Sequence, residues 1–299
     1  MRTPKARYIA ILLGVVLLLM SACSVGSATG SQSALQLLQK SAAAMKQLKS
    51  LHLAMRTTSA IKLAATPTGT TRIPQNLTFT VTANGDAAMP DKTALHLTLG
   101  TGSLNFNVSE ITIGNKLYIQ NSRGQWYVLD KSKLEGKNTT PLSGTNVPDQ
   151  NLLLSLAQHS KITDHGTQAL NGEQLRHITV SLDKDGLKQF LASDKQFSKQ
   201  FGQQNIDKLL ASLKTFQASV DFWIDEATSY VHRTELKLNL NVDTSAFITL
   251  AKPTATHTAP PDVTLNLDAV VDLSKFNQPV TITAPANAIP TDNPITIFE

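Results

Sequence analysis

The sequence predicts an α+β fold in which helices cover one side of an antiparallel sheet. Three observations carry this. About ten segments alternate apolar and polar residues with period two, so each presents one apolar and one polar face. Two further regions repeat apolar residues every three or four positions, the mark of amphipathic helices. Turn residues separate successive strands at hairpin spacing. Strands buried on both faces, as in a parallel sheet, would read as unbroken apolar runs, so that class is excluded. A sandwich, a closed barrel and a strongly curved open sheet with helices on its concave side remain open. Helices segregated on one side of an antiparallel sheet make the α+β class.

The chain begins with Arg2, Lys5 and Arg7, then an apolar run from Ile9 to Met20, then Ser21-Ala22-Cys23. A basic start, a short apolar stretch and small residues at the exit describe an export signal. The run is too short to span about 30 Å of hydrocarbon comfortably. The small-small-Cys ending resembles a bacterial lipobox, with Met20 where leucine is usual. Cys23 is the only cysteine in the 299 residues. The expectation is a lipoprotein signal over residues 1–22, with the thiol of Cys23 lipidated and Cys23 left as the new N-terminus. The protein is then exported and anchored to the outer face of the cytoplasmic membrane.

Removing residues 1–22 takes away three basic groups and no acidic ones. The rest has 24 Lys+Arg against 22 Asp+Glu, a formal charge of +2, so the basic pI is largely a property of the signal. Nothing points to nucleic-acid binding, which needs clustered positive charge. With Cys23 acylated, disulfides and cysteine-ligated metals are excluded.

Residues 23–33 are small and polar and read as a tether of about 15–20 Å reach. Residues 34–299 read as a single domain. Ala34 to Lys49 is expected to be a helix, capped by Ser33, with Leu35, Leu38, Ala42, Met45 and Leu48 as its apolar stripe. Strands follow around His52–Leu63, Leu77–Ala83, Leu95–Leu99, Leu104–Val108, Ile111–Ile113, Leu117–Ile119 and Trp126–Val128. Asp130–Asp149 is expected to be a loop and Asn151–His159 a short helix. Strands are expected again at Ile162–Gln168, Gln174–Leu182 and Val220–Asp225, with Asn171-Gly172 as a turn. Asp185 to Phe216 is expected to be helical, divided near Gly202. The last strands are Leu236–Val242 and Val263–Ala269, flanking a Pro/Thr loop at 251–262. The tail beyond Pro285 is expected to pack loosely.

Catalytic motifs are missing from the sequence: no nucleophile elbow, no His-Glu-x-x-His, no P-loop and no dinucleotide fingerprint. The expectation is therefore no enzyme, no cofactor and no metal. His96 reads as a surface residue. His159 and His165 are close enough in sequence for a metal site to be considered, and Asp221 and Asp225 flank Trp223 on one strand face. Structural roles are the plainer reading of each. Trp126 and Trp223 read as packing anchors or as the lining of a lipid entrance.

Residues 110–129, Glu-Ile-Thr-Ile-Gly-Asn-Lys-Leu-Tyr-Ile and then Gly-Gln-Trp-Tyr-Val-Leu, resemble a hairpin of the LppX/LprA/LprF/LprG envelope lipoproteins. Gly85-Asp86 with Pro90-Asp91-Lys92, the stretch Val220–Thr228, and Val271-Asp272-Leu273-Ser274-Lys275-Phe276 match as well. The resemblance covers roughly residues 34–285 and departs at the 130–149 loop and the 251–262 insert. It implies a half-barrel of about eleven strands, related to the LolA/LolB carriers, with helices in its mouth. It also implies an apolar cavity for the acyl chains of a lipid or glycolipid. The residues expected to line that cavity are Leu95, Leu97, Leu104, Phe106, Leu117, Ile119, Leu236, Leu238, Leu265 and Leu267 on strands. Phe197 and Phe201, four apart on one helix face, join them as part of a gate hinged at Gly202. The partners implied are a membrane lipid ligand, the membrane surface through Cys23 and an envelope transporter, with the protein a monomer. The alternative is a structural or signalling envelope lipoprotein whose core is filled and holds no lipid.

Overall fold

A computed structural model describes residues 33–63, 76–133, 159–193, 203–243, 262–293 and Ile297. Its elements in chain order are α1 (Ala34–Lys46), β1 (Ser50–Leu63), β2 (Asn76–Ala88), β3 (Lys92–Thr101), β4 (Leu104–Ile113), β5 (Lys116–Gln120) and β6 (Trp126–Asp130). After a 3₁₀ turn, Lys131–Lys133, come β7 (Lys161–Leu170), β8 (Glu173–Asp183), α2 (Lys184–Ser193) and α3 (Gln203–Ser212). The chain ends with β9 (Leu213–Ile224), β10 (Val231–Asp243), β11 (Asp262–Ser274) and β12 (Ile289–Pro290). Hydrogen bonds join the strands in the order β12-β6-β5-β4-β3-β2-β1-β11-β10-β9-β8-β7, an unclosed sheet ending at β12 and β7. The hairpin pairings are antiparallel, and the short β12 adds to β6 in parallel. This is the α+β class expected from the sequence.

The chain divides into two compact units. One comprises Met1–Met45, Ser59–Thr78 and Pro148–Ala269; the other comprises Lys46–Thr58, Phe79–Val147 and Val270–Glu299.

In the first unit, β8, β9 and β10 put their apolar residues on one face. Ile178 lies opposite Phe222 and Val220 opposite Leu236, and Leu182 and Leu238 both flank Ala218. Helices α2 and α3 pack on β8 and β9, bringing Leu187, Phe190, Leu191 and Ile206 into the same buried cluster. Leu37 and Leu38 of α1 join it. Ser33 caps α1: its Oγ accepts from Gln36 N–H at 3.3 Å, and Gln36 Oε1 accepts from Ser33 N–H at 3.2 Å. This reciprocal arrangement satisfies two donors that helix geometry leaves free. The Asn171-Gly172 turn has φ of 52° and 87°, the left-handed pair that a two-residue hairpin requires.

The second unit is a run of hairpins, β2 to β6. The β2–β3 pair stays in register over its length, and Gly85 is needed there. A Cβ at that position would sit 2.0 Å from the Ala94 carbonyl oxygen. The β5–β6 turn is held by Asn121, whose Oδ1 accepts from Arg123 N–H at 3.0 Å and Gln125 N–H at 2.9 Å.

Three expectations are corrected. Helix α1 ends at Lys46, and its buried side carries Leu37, Leu38 and Ser41, while Leu35 is 40% exposed. The expected stripe was rotated because Leu38 fits a three- or four-residue repeat with Ala34 and Ser41 as well as with Leu35 and Ala42. Second, Leu213 to Phe216 is strand, not helix: β9 starts as α3 ends, with no glycine or proline between them. Third, the tail does not pack loosely throughout. Ile297 is fully buried against Leu117, Ile119 and Leu129. Residues 151–158 of the expected helix Asn151–His159, Gly202 and most of the 130–149 and 251–262 loops lie outside the described residues.

Candidate functional site

The second unit carries an apolar face with two different ends. Because side chains alternate across a strand, register decides which residues share a face. Leu97 lies between Ala83 and Val108; Leu99 lies between Val81 and Phe106; Thr101 lies between Phe79 and Leu104. Further along the same face, Glu110 pairs with Leu95 and Ile119, and Leu117 pairs with Leu129. At this end Ala83, Leu97, Leu117, Ile119 and Leu129 are buried, at 1–5% exposure. At the other end Phe79 is 39% exposed, Leu99 41%, Phe106 55% and Leu104 58%. From Glu110 to Leu104 the strand covers about 20 Å at 3.3 Å per residue. The face therefore runs from closed core to open apolar surface, over a length comparable with the ~15 Å of hydrocarbon in one membrane leaflet.

Glu110 is the one charged residue buried among the described residues, at 7% exposure. Burial pushes its carboxyl above the usual glutamate range, and the nearby Lys131 charge only partly offsets this. A sequence signal for it existed. Apolar residues of β4 occupy even positions at 104, 106 and 108, then odd positions at 111 and 113. The strand keeps one register throughout, so Glu110 takes the place on the apolar face that the pattern vacates.

The structure groups the residues expected at a cavity as follows. Leu97, Leu117 and Ile119 are buried in the second unit, Leu95 is half-buried, and Leu104 and Phe106 are exposed. In the first unit Leu236, Leu238 and Leu267 are buried in the cluster beneath the helices, and half-buried Leu265 packs against it. Phe197, Phe201 and Cys23 lie outside the described residues.

The polar candidates sort differently from their sequence spacing. His96 is exposed, with Nδ1 3.1 Å from Ser109 Oγ. Asp225 sits in the turn after β9, where its carboxylate accepts from Ala227 N–H at 2.9 Å and Thr228 Oγ1 at 2.7 Å. His165 lies not against His159 but against His177 and Asp221, and Trp223 stacks on His177 with ring centroids 4.4 Å apart. His177 was missed in the sequence because its neighbours come from the strands on either side of its own, β7 and β9. Arg176 donates to both Asp164 carboxylate oxygens, at 2.8 and 2.6 Å, and to Glu226 at 2.9 Å. The Arg176 hydrogen bond is the main reason the Asp164 carboxyl lies below its usual range. Among the described residues no helix is long and apolar enough to cross a membrane.

Fold and face together define an α+β protein built on an unclosed sheet with a partly exposed apolar side. The chain belongs to DUF6612, a family of unknown function whose profile matches residues 33–291. No curated protein matches its sequence. Solved structures with weak likeness include the Mycobacterium tuberculosis lipoprotein LppX, at 16% identity and a TM-score of 0.40 over 83% of this chain and 96% of that one. LprF from Mycobacterium bovis follows at 13% and 0.35, over 84% and 95%. A putative outer membrane lipoprotein-sorting domain from Vibrio parahaemolyticus gives 9% and 0.21, over 77% and 87%.

Proposed function

We propose that the protein is an envelope lipoprotein that holds the acyl chains of a lipid or glycolipid on the apolar face of its second unit. Cys23 is its membrane anchor, at the outer face of the cytoplasmic membrane, and it carries or presents the lipid without chemical change. The observation that supports this is the exposed band of Phe79, Leu99, Leu104 and Phe106, continuous on one face with the buried residues around Leu97 and Leu117. Contiguous exposed apolar surface marks interaction sites. Each acyl methylene that leaves water for such a surface gains about 0.8 kcal/mol. Leu104 and Phe106 make the first contact, and Leu95 and Leu97 extend it along the strands. The first unit favours a second role for its own apolar residues: Leu236 and Leu238 are each 4% exposed beneath the helices, as in a filled core.

Native mass spectrometry of protein purified from a lipid-containing host tests this reading. The expected result is a lipid-sized mass adduct on the wild type that is lost in a Leu104→Glu/Phe106→Glu variant with unchanged circular dichroism. A wild type that carries no lipid, even after incubation with envelope lipid extract, overturns it.

A further inference from the structure

We propose that His165, His177 and Asp221 form a site for a divalent first-row transition cation of the Zn²⁺ or Cu²⁺ kind. The site lies on the first unit, on the sheet face opposite its buried cluster. Its construction begins with an irregularity in β7. Asp164 lies opposite Ile178 and Thr167 opposite Arg176, which leaves His165 and Gly166 together facing His177. This is a β-bulge, and Gly166 has the positive φ, +72°, that lets the chain make it. Gly166 N–H donates to Asp164 Oδ1 at 2.9 Å and fixes the bend. Bulges re-aim side chains, and here the His165 ring is brought over His177, with centroids 4.3 Å apart.

The other two groups are set by register. His177 lies directly opposite Trp223, and Thr179 directly opposite Asp221. One donor atom from each of His165, His177 and Asp221 can be chosen so that all three lie within 4.8 Å of one another. His177 Nε2 is 3.0 Å from Asp221 Oδ1, and the side chains are 14% and 13% exposed. His165 stands at the exposed rim.

The hydrogen bonds around His177 favour a cation. Its Nδ1 is 3.0 Å from Gln168 Oε1, an oxygen that can only accept. Its Nε2 is 3.0 Å from Asp221 Oδ1, likewise an acceptor, and a neutral ring has one N–H to give, so one of the two nitrogens is left as a lone pair against an oxygen. Something positive belongs between them, either a second proton or a metal. Metal-ligating histidines characteristically donate their other N–H to an oxygen acceptor, and Gln168 Oε1 is placed to take it from His177 Nδ1. Thr179 Oγ1 donates to the same Asp221 oxygen and is 2.8 Å from His165 Nε2, orienting both. His165 would exchange that contact for the metal. The His177 ring is held flat against Trp223, so little of its own order is lost on binding.

Two imidazoles and one carboxylate suit zinc, copper or nickel rather than calcium or magnesium. Three protein ligands leave an open position for water or an exogenous ligand. A bound ion would also tie β7, the end strand of the sheet, to β8 and β9 through side chains.

Trp223 supplies the readout. The chain has two tryptophans, and only Trp223 stacks on a ligand ring. Metal-stripped full-length protein in detergent is titrated with ZnCl₂ by calorimetry and with CuCl₂ by fluorescence. The expected result is one Zn²⁺ bound per chain, and Cu²⁺ quenching of about half the tryptophan emission. His177→Gln should abolish both. Because His177 is packed and its loss could disturb the strands, His165→Ala is the second variant. That residue is exposed on a bulge and its removal should leave the fold intact by circular dichroism. Zinc affinity should fall at least tenfold in it, and about 10–100-fold in Gln168→Ala. No stoichiometric binding to the wild type, or unchanged affinity in a folded His165→Ala protein, overturns the proposal. Neither result bears on lipid retention, which is read by mass.

Discussion

In the first unit the apolar face of β8, β9 and β10 lies beneath α2 and α3, and Phe190, Phe216 and Phe222 are 4–7% exposed. In the second unit the corresponding face of β2, β3 and β4 ends in Phe79, Leu99, Leu104 and Phe106, at 39–58% exposure. Among the described residues, helix in this unit amounts to the end of α1 and the turn Lys131–Lys133. The two faces are built by the same period-two pattern, and what differs is the cover. Alternation states which side of a strand is apolar. It carries no information on what lies against that side.

The largest effect that would break this comparison comes from truncating one aromatic in each unit. Phe222→Ala removes a ring at 7% exposure from the helix-covered cluster and should cost about 3–5 kcal/mol in urea unfolding. Phe106→Ala removes a ring at 55% exposure and should stay within about 0.5 kcal/mol. Equal losses from the two changes would mean that Phe106 belongs to a closed core, and the lipid reading would lose its support.

Much of this architecture was legible in the sequence, for identifiable reasons. The hairpins were legible because Asn171-Gly172 and Gly114-Asn115 punctuate them. The boundary between α3 and β9 was not, since Leu213 and Phe216 are three apart and satisfy a helical period as well as they begin a strand. Ile297 was invisible because one isoleucine among polar and proline residues makes no pattern. Among the expected lining residues, Leu104 and Leu97 read alike in sequence, yet one is 58% and the other 4% exposed. The His165–His177–Asp221 cluster depends on the bulge at Gly166, which shifts register by one residue; uninterrupted pairing back from Leu170–Glu173 would have set His165 opposite Ile178.

A smaller effect sharpens the contrast through Glu110. Its folded-state carboxyl titrates above the ordinary value of 4.5, with burial the main cause. Between that value and the raised one, the folded state keeps a proton that the unfolded state has lost. Stability is therefore full below about pH 4.5 and falls as pH rises through the folded-state value. Glu110→Gln removes the titration and should raise stability at neutral pH, by about 1.4 kcal/mol for each pH unit by which burial raises the carboxyl, because no charged carboxylate is then desolvated. Unfolding midpoints of wild type and variant should converge in acid and separate as pH rises. Parallel midpoints across the range would show that the Glu110 carboxyl is solvated in the folded protein.

The smallest effect concerns how the first unit's cover is held down. Helix α1 contributes Leu37, fully buried, and Leu38 to the cluster, and its first turn is closed by the reciprocal Ser33–Gln36 hydrogen bonds. Ser41 Oγ ties the helix to the Ser229 carbonyl at 2.7 Å, which secures its middle but not its start. Ser33→Ala leaves the Gln36 amide of α1 without its side-chain acceptor and should cost about 1 kcal/mol. Packing of Leu37 continues to hold the helix in place, so the loss should appear as fraying rather than unfolding. Amide hydrogen exchange separates these outcomes. Exchange should quicken by about fivefold over the first turns of α1, while β3 and β4 keep wild-type protection, because nothing in their unit depends on that cap. Acceleration in β3 and β4 to the same degree would show that the covered and uncovered faces open as one cooperative body. The distinction between a closed first unit and an exposed second one would then describe surface only, not stability.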